Sequence, residues 1–384
     1  MVTAPKSKPE FDLLCCVARP QPALDRVRAY LRLGVDFSEL LPLAVQHAVQ
    51  PQLVDALGLL SWEAVPDDAR RSLEAFCHRH LLRVLTFTEA LCRVADAFDK
   101  GGVTFATFKG VALAHALYGD ASAREYSDID IIVPQQHMMN AERILEGLGY
   151  RSRQGDRTFR AAFLSYQRQY ALFSRELGFS IDLHWAFSGS YLPFPLAADD
   201  VWRDIAYVTV GHRRIPTIGG VNLALLLAGH GTKEQWERLQ WVADFALLID
   251  RSPDLDWSAV YRRARDEGCG NCVLLGCLLA EGLLDVPVPS GLLQPIAGNK
   301  RVGARAAVLI DGLRQGVPLP DVPANFSDLD LCDRRLDRIG AALSLVVTPT
   351  VGDHAALPLP PSLWSIYRVI RPFRLAAKAV ARLF

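Results

Sequence analysis

Residues 125–133 have the sequence EYSDIDIIV, and this segment constrains the fold of the chain more than any other. Its apolar run predicts a buried strand. Alternate side chains of a strand share a face, so Asp128 and Asp130 point the same way and the isoleucines point into the core. Two carboxylates about 7 Å apart repel each other, and such hard oxygen ligands select Mg²⁺ or Mn²⁺. Taken alone, the pair fits either a divalent-metal site or an exposed strand start with two solvated aspartates.

A third aspartate follows in residues 170–185, YALFSRELGFSIDLHW, which predict a β-hairpin turning near residues 177–178. In the second strand Ser180, Asp182 and His184 share one face, and apolar residues occupy the other. If this strand lies beside the first, three carboxylates converge. Two metal ions need such an arrangement to hold the attacking and leaving oxygens of a phosphoryl displacement.

A glycine turn precedes both strands. The segment TFKGVALAHAL predicts a strand that passes through Lys109 and Gly110 into a helix. Glycine lets the backbone approach a ligand closely, a helix N-terminus presents free N–H groups to an anion, and Lys109 adds a positive charge. Such turns are common, so the significance of this one depends on its position before the paired aspartates.

Hydrophobic periodicity divides the chain into four regions. We expect an N-terminal helical region over 1–100, a mixed α/β core over 101–215, a C-terminal helical domain over 216–300, and a proline-punctuated extension with a basic tail over 301–384. The predicted fold class is α+β, with a small mixed sheet flanked by N-terminal and C-terminal α-helical regions.

Composition excludes several classes of function. The formal net charge of +0 offers no track for a nucleic-acid backbone, so no nucleic-acid partner is expected. We find no signal peptide and no apolar run of membrane-spanning length, and we expect a cytoplasmic protein. Cys269 and Cys272 have metal-like spacing but lack four ligands in sequence, so buried thiols at a helix start are expected.

Residues 221–252 predict one or two helices interrupted near residues 229–231. A polar stripe at helical spacing consists of His230, Lys233, Glu237 and Asp244. This stripe fits either a solvated amphipathic face or a surface that contacts phosphate, with the bordering Trp236 and Trp241 stacking on a base.

The order of these elements resembles the nucleotidyltransferase superfamily with a polymerase-β-like fold. The blocks FKGVALAHALYGDASAREYSDIDIIV, SIDLHW and HGTKEQWERLQWVADFALLI are similar to one bacterial branch, an uncharacterised nucleotidyltransferase family, and the similarity extends over most of the chain. There are two departures from the wider superfamily. Lys109 and Gly110 replace the usual Gly-Ser or Gly-Gly turn, and the gap from this turn to Asp128 is longer than usual.

The resemblance implies Mg²⁺- or Mn²⁺-dependent transfer of a nucleoside monophosphate from an NTP to an acceptor (a small molecule, sugar or peptide), with release of pyrophosphate. It implies that Asp128 and Asp130 hold both metals, and that Asp182 holds the catalytic metal and helps to deprotonate the acceptor. We assign nucleotide binding to Lys109, Gly110, Arg124, Ser127, His230 and Lys233. We assign contact with the acceptor, or support of the aspartates, to His184, Trp236, Arg238 and Asp244.

Two other functions remain open. A catalytically weak relative could bind nucleotide or a partner as a regulatory module. A protein-modifying enzyme could add AMP to a protein or peptide side chain with the same site.

The end of the chain is basic, with no acidic residue after residue 361. This tail could lie on an anionic membrane surface, or pack on its own domain or on a partner. Because one weak amphipathic stretch gives only marginal membrane binding, we expect it to pack on protein.

Overall fold

The computed structural model describes residues 8–152, 168–187, 193–316 and 328–380. The α-helices of the described residues are α1 (Pro9–Val17), α2 (Leu24–Leu33), α3 (Phe37–His47), α4 (Gln50–Leu59), α5 (Asp67–Lys100), α6 (Gly110–Leu113), α7 (Met138–Gly147), α8 (Gly220–Lys233), α9 (Leu239–Arg251), α10 (Trp257–Asp266), α11 (Gly270–Leu284), α12 (Leu293–Ala297), α13 (Lys300–Gln315), α14 (Arg335–Val347), α15 (Val351–Ala356) and α16 (Tyr367–Val380). The strands are β1 (Ala106–Thr107), β2 (Asp128–Ile132), β3 (Arg151–Ser152), β4 (Gln169–Ser174), β5 (Phe179–His184), β6 (Ile205–Val210) and β7 (Arg213–Ile218). The predicted α+β class is confirmed.

The strands form one mixed sheet in the order β3-β4-β5-β2-β1-β7-β6. The central strand β2 lies parallel to β5 and antiparallel to β1. The predicted hairpin is confirmed as β4 and β5, and it turns through Gly178, which has φ +76°. A second hairpin, β6 and β7, was not expected, although its alternating apolar residues and the glycine at 211 are typical of one.

Alternation along β2 and β5 separates the core from the polar face of the sheet. Ile129, Ile131 and Ile181 are buried in a cluster with apolar side chains of α5 and α7. In the same cluster Phe87 of α5 stacks on Phe179, with ring centroids 4.0 Å apart. The opposite face of these strands therefore carries the aspartates, as the two-residue period predicts.

Helices that precede the sheet in the chain share a second core with helices that follow it. Buried apolar residues of α1 to α4 form one cluster with those of α8 to α11 and α13. Cys269 and Cys272 lie buried at the start of α11, as predicted. No helix among the described residues is long and apolar enough to cross a membrane.

The expected helix break near residues 229–231 is wrong, because α8 continues to Lys233. Gly229 and Gly231 instead allow aromatic rings to pack closely against α8. A Cβ at Gly229 would lie 2.6 Å from the ring of Phe194, and one at Gly231 would lie 2.6 Å from the ring of Trp236. The chain turns only after Lys233, where Gln235 and Trp236 adopt positive φ. The polar stripe predicted for one helix is therefore divided between α8, the turn and α9.

Candidate active site

The parallel register of β2 and β5 brings the predicted carboxylates together. Asp130 lies opposite Asp182, and Asp128 lies opposite Ser180. Asp130 is buried, while Asp128 and Asp182 are partly buried. All three line one cleft of about 510 Å³, which α8 and α9 close from the other side.

Two side chains contact the carboxylate of Asp130 through nitrogen atoms. The Nζ atom of Lys109 lies 3.2 Å from Oδ2 of Asp130. The Nε2 atom of His184 lies 3.1 Å from Oδ1, and an Nε2–H there donates to the carboxylate. The His184 ring also meets Phe108 edge-on, with centroids 4.9 Å apart. His184 is therefore fixed against the central aspartate.

The three carboxylates differ in their proton affinity. Burial opposes ionisation of Asp130, but the charge of Lys109 and the hydrogen bond with His184 outweigh it and hold the pKa of Asp130 below its usual range. Burial and the charge of Asp130 raise the pKa of Asp128 to about 6. The same two causes raise the pKa of Asp182. The cluster thus carries more negative charge than its protein partners neutralise.

This donor set fits a hard divalent cation. One ligand atom from each of Asp130, Asp182 and His184 lies within 4.8 Å of the others. Asp128 lies outside that group but close enough for its pKa to respond to both other aspartates. Carboxylate oxygens suit Mg²⁺ and Mn²⁺, and Lys109 already shows that a cation is accommodated beside Asp130.

The glycine turn lies against the start of β2. Gly110 begins α6 with φ +58°, and a Cβ at this position would lie 3.2 Å from the backbone oxygen of Asp128. Lys109 and Ser127 line the cleft on either side of this contact. Glycine at 110 is therefore required both by its dihedral angle and by the close approach to the aspartate strand.

The opposite wall of the cleft carries aromatic rings and both signs of charge, since Glu234 and Glu237 lie there beside the cations. His230, Lys233, Arg238 and Trp241 all line it. The His230 ring meets Trp241 edge-on at 5.4 Å, and the Arg238 guanidinium lies 5.6 Å from the Trp241 ring centroid. Burial and the charges of Lys109 and Lys233 lower the pKa of His230 well below its usual value, so its ring is neutral at pH 7.

Arg124 lies in the cleft wall, but its guanidinium is occupied. It makes a two-pronged ion pair with Asp244, with Nη2 at 2.8 Å and Nε at 3.0 Å, and both residues are buried. The hydroxyl of Tyr118 donates to the same carboxylate at 2.8 Å. In this structure the Arg124 guanidinium is therefore not free, and its assignment to nucleotide binding stays a prediction. Asp244 supports Arg124 rather than an aspartate of the cluster.

Trp236 does not face the cleft. Its side chain is 1% exposed and packs edge-on against Phe245. Stacking of a base on Trp236, one of the two alternatives for this segment, is wrong, because the turn after α8 folds this ring back over Gly231. Trp241 is the tryptophan that lines the cleft.

Other residues of the cleft were not predicted from the sequence. Arg83 of α5 and Gln169 of β4 also line the cleft. Gln240 donates to the backbone oxygens of Ala48 and Glu125. It therefore connects α9 to the loop after α3 and to the segment that leads into β2. No local pattern distinguishes these residues, since their positions depend on contacts between distant parts of the chain.

Comparisons with known proteins place the chain in a family. A family model described as "Uncharacterised nucleotidyltransferase" matches residues 34–285. One similar solved structure is the solution structure of the antibiotic-resistance factor ANT(2'')-Ia, with 13% sequence identity and a TM-score of 0.33. The match covers 47% of this chain and 91% of that chain. A search of curated proteins finds no match.

Proposed function

The chain belongs to this uncharacterised nucleotidyltransferase family, and on that premise we propose that it transfers a nucleoside monophosphate from an NTP to an acceptor hydroxyl or similar group, with release of pyrophosphate. One observation carries the proposal. The β2–β5 register sets Asp130 opposite Asp182 in a cleft that also holds Asp128, Lys109 and basic residues of α8.

The three carboxylates share metal binding in this proposal, and Asp182 has a second task. Asp128, Asp130 and Asp182 would hold Mg²⁺ or Mn²⁺, which when bound neutralises phosphate charge and makes the acceptor hydroxyl easier to ionise. Asp182 accepts the acceptor proton, a role that its raised pKa favours. His184 positions Asp130 through its hydrogen bond.

The opposite wall would bind the nucleotide. Lys233 and Arg238 supply positive charge for the triphosphate. The neutral ring of His230 donates a hydrogen bond, and Trp241 offers an aromatic surface to the base. Lys109 moves from Asp130 to a phosphate oxygen when nucleotide and metal enter.

The catalytic core would comprise residues 101–215, between helical regions at 1–100 and 216–300 and an extension at 301–384. Strand β7 ends at Ile218, so the sheet continues slightly past this core. We place the activity in the cytoplasm, where NTP and Mg²⁺ are supplied.

The test is transfer of label from NTP to a cell extract. The full chain is incubated with each NTP labelled at the α-phosphate, and the extract is then separated into small-molecule and protein fractions. We expect a new labelled product only with Mg²⁺ or Mn²⁺, and no such product from γ-labelled NTP. The product should be lost in Asp130→Asn and Asp182→Asn and retained in Asp254→Asn, a matched exposed aspartate.

The fraction that carries the label separates the alternatives. Label in small molecules supports the transferase proposal in its main form. Label in protein indicates an AMP-adding enzyme. Binding of NTP without any transfer would indicate a catalytically weak regulatory module.

A further inference from the structure

The helix α16 is turned with its charged side inward. Arg371 donates to Asp353 at 2.8 Å, and Arg374 donates to the same carboxylate at 2.6 Å. Asp353 is 1% exposed. Arg371 also donates to the backbone oxygen of Leu345 in α14, so α14 and α16 form one packed unit.

The opposite side of α16 is apolar and faces outward. Val369 is 63% exposed and Phe373 is 73% exposed. They are four residues apart and therefore adjacent on one side of the helix. A surface helix ordinarily does the reverse and buries its apolar side, so this orientation leaves an apolar surface without a partner in the described part of the chain.

Helix α14 also exposes large apolar side chains, although its buried side is apolar as well. Leu336, Ile339 and Leu343 are exposed at helical spacing, on the side away from the buried Ala341 and Leu345. We define the C-terminal apolar face by five exposed side chains: Leu336, Ile339, Leu343, Val369 and Phe373. Large apolar groups gathered on one unit in this way mark an interaction surface.

The charge of the segment that carries this face is mainly positive. Residues 334–374 contain six arginines and two aspartates, although the whole chain has a formal net charge of +0. One of the two aspartates, Asp353, is buried beneath Arg371 and Arg374. Exposed cations beside the face include Arg334, Arg335 and Arg368. A surface that combines apolar side chains with cations complements an anionic lipid bilayer.

We propose that the C-terminal apolar face docks on the surface of an anionic lipid bilayer. The apolar side chains enter the boundary between headgroups and acyl chains, and the arginines contact lipid phosphates. A second copy of the chain fits this face less well. A two-fold interface would place this positively charged surface against a copy of itself. The inference does not depend on nucleotide transfer.

The test is co-sedimentation of the full chain with vesicles. One set is pure phosphatidylcholine, and the other is phosphatidylcholine mixed with phosphatidylglycerol. We expect binding to the anionic vesicles that weakens as salt is added. In the variant Leu343→Ser/Phe373→Ser the affinity should fall about tenfold or more. The matched control is Leu82→Ser/Leu85→Ser in α5, which removes equally exposed apolar side chains from elsewhere on the surface and should bind like the parent.

Three results would overturn the proposal. One is no binding to anionic vesicles, and another is equal binding by the variant and the control. The third is a parent chain that does not bind vesicles and is dimeric by light scattering, together with a variant that is monomeric. That result would assign the face to self-association. The substituted side chains are exposed, so unchanged unfolding midpoints should accompany every comparison.

Discussion

The ammonium of Lys109 lies 3.2 Å from the Asp130 carboxylate, at the centre of the acidic cluster. In the ligand-free chain this one side chain offsets much of the repulsion among the aspartates. Because it is a cation beside a proposed cation ligand, it competes with metal for Asp130. Movement of the Lys109 ammonium from Asp130 to a phosphate oxygen would couple metal binding to nucleotide binding.

Lys109→Met therefore has opposite effects on two ligands. We expect Mn²⁺ alone to bind several-fold more tightly, because a competing cation has gone from Asp130. NTP should bind about tenfold more weakly, because a phosphate contact is lost. Calorimetric titration measures both. Lys233→Met is the matched control and should weaken only NTP binding. Unchanged or weaker Mn²⁺ binding by Lys109→Met would contradict competition between Lys109 and the metal for Asp130.

Asp128→Asn should stabilise the metal-free fold at neutral pH. The pKa of Asp128 is raised from 3.8 to about 6, so its ionisation costs folding free energy that accumulates as pH rises from about 4 to about 6. Allowing for partial exposure, we expect a gain of about 1–2 kcal/mol at pH 7 that disappears below about pH 4. Urea unfolding in a chelator at both pH values measures it.

Asp130→Asn is the control for that comparison, and its effect on the free energy of unfolding should have the opposite sign. The pKa of Asp130 is lowered, so its charge stabilises the fold above about pH 4 and that contribution is lost as pH falls further. At pH 7 the variant leaves Lys109 without its partner and should be less stable than the parent. Equal effects of the two variants would contradict the assigned charges.

Gly110→Ala should impair function beyond its effect on stability. Residue 110 has φ +58°, and the added Cβ would press on the backbone of Asp128. Gly119→Ala is the matched control, since it has φ +79° but open space around it. Both should lose about 1–2 kcal/mol of unfolding free energy. Only Gly110→Ala should also weaken metal-dependent NTP binding, and similar NTP affinity in the two variants would argue against the close approach.

The Arg124–Asp244 pair should behave as a structural unit. Arg124→Met leaves a buried carboxylate without its main partner and should cost about 3–5 kcal/mol of unfolding free energy. The double variant Arg124→Met/Asp244→Leu should recover most of that loss, as chemical denaturation would show. If Arg124 instead binds phosphate, the double variant would lose NTP affinity at least tenfold despite its restored stability.

The sequence predicted the acidic centre well because its signals are local. The two-residue period places Asp128 and Asp130 on one face, and a hairpin pattern places Asp182 on the next strand. The pairing of Arg124 with Asp244 joins residues 120 positions apart, and no local pattern encodes it. Gly229 and Gly231 suggested a helix break because glycine commonly ends helices, whereas here they admit the rings of Phe194 and Trp236.

The orientation of the tail shows the same limit. Its basic and apolar residues indicated an amphipathic helix, which α16 confirms. Which side would face the protein depended on Asp353, a buried carboxylate outside the helix. An isolated periodicity gives the two faces of a helix but not the direction in which each one points.

The central claim is a metal-dependent nucleotide site centred on Asp130, and calorimetric titration tests it most directly. The full chain is titrated with ATP, GTP, CTP and UTP, with and without Mg²⁺, beside Asp130→Asn and the exposed control Asp254→Asn. We predict binding of at least one NTP that requires Mg²⁺, is weakened at least tenfold in Asp130→Asn and is unchanged in Asp254→Asn. Binding of no NTP, or equal binding by Asp130→Asn, would contradict the account.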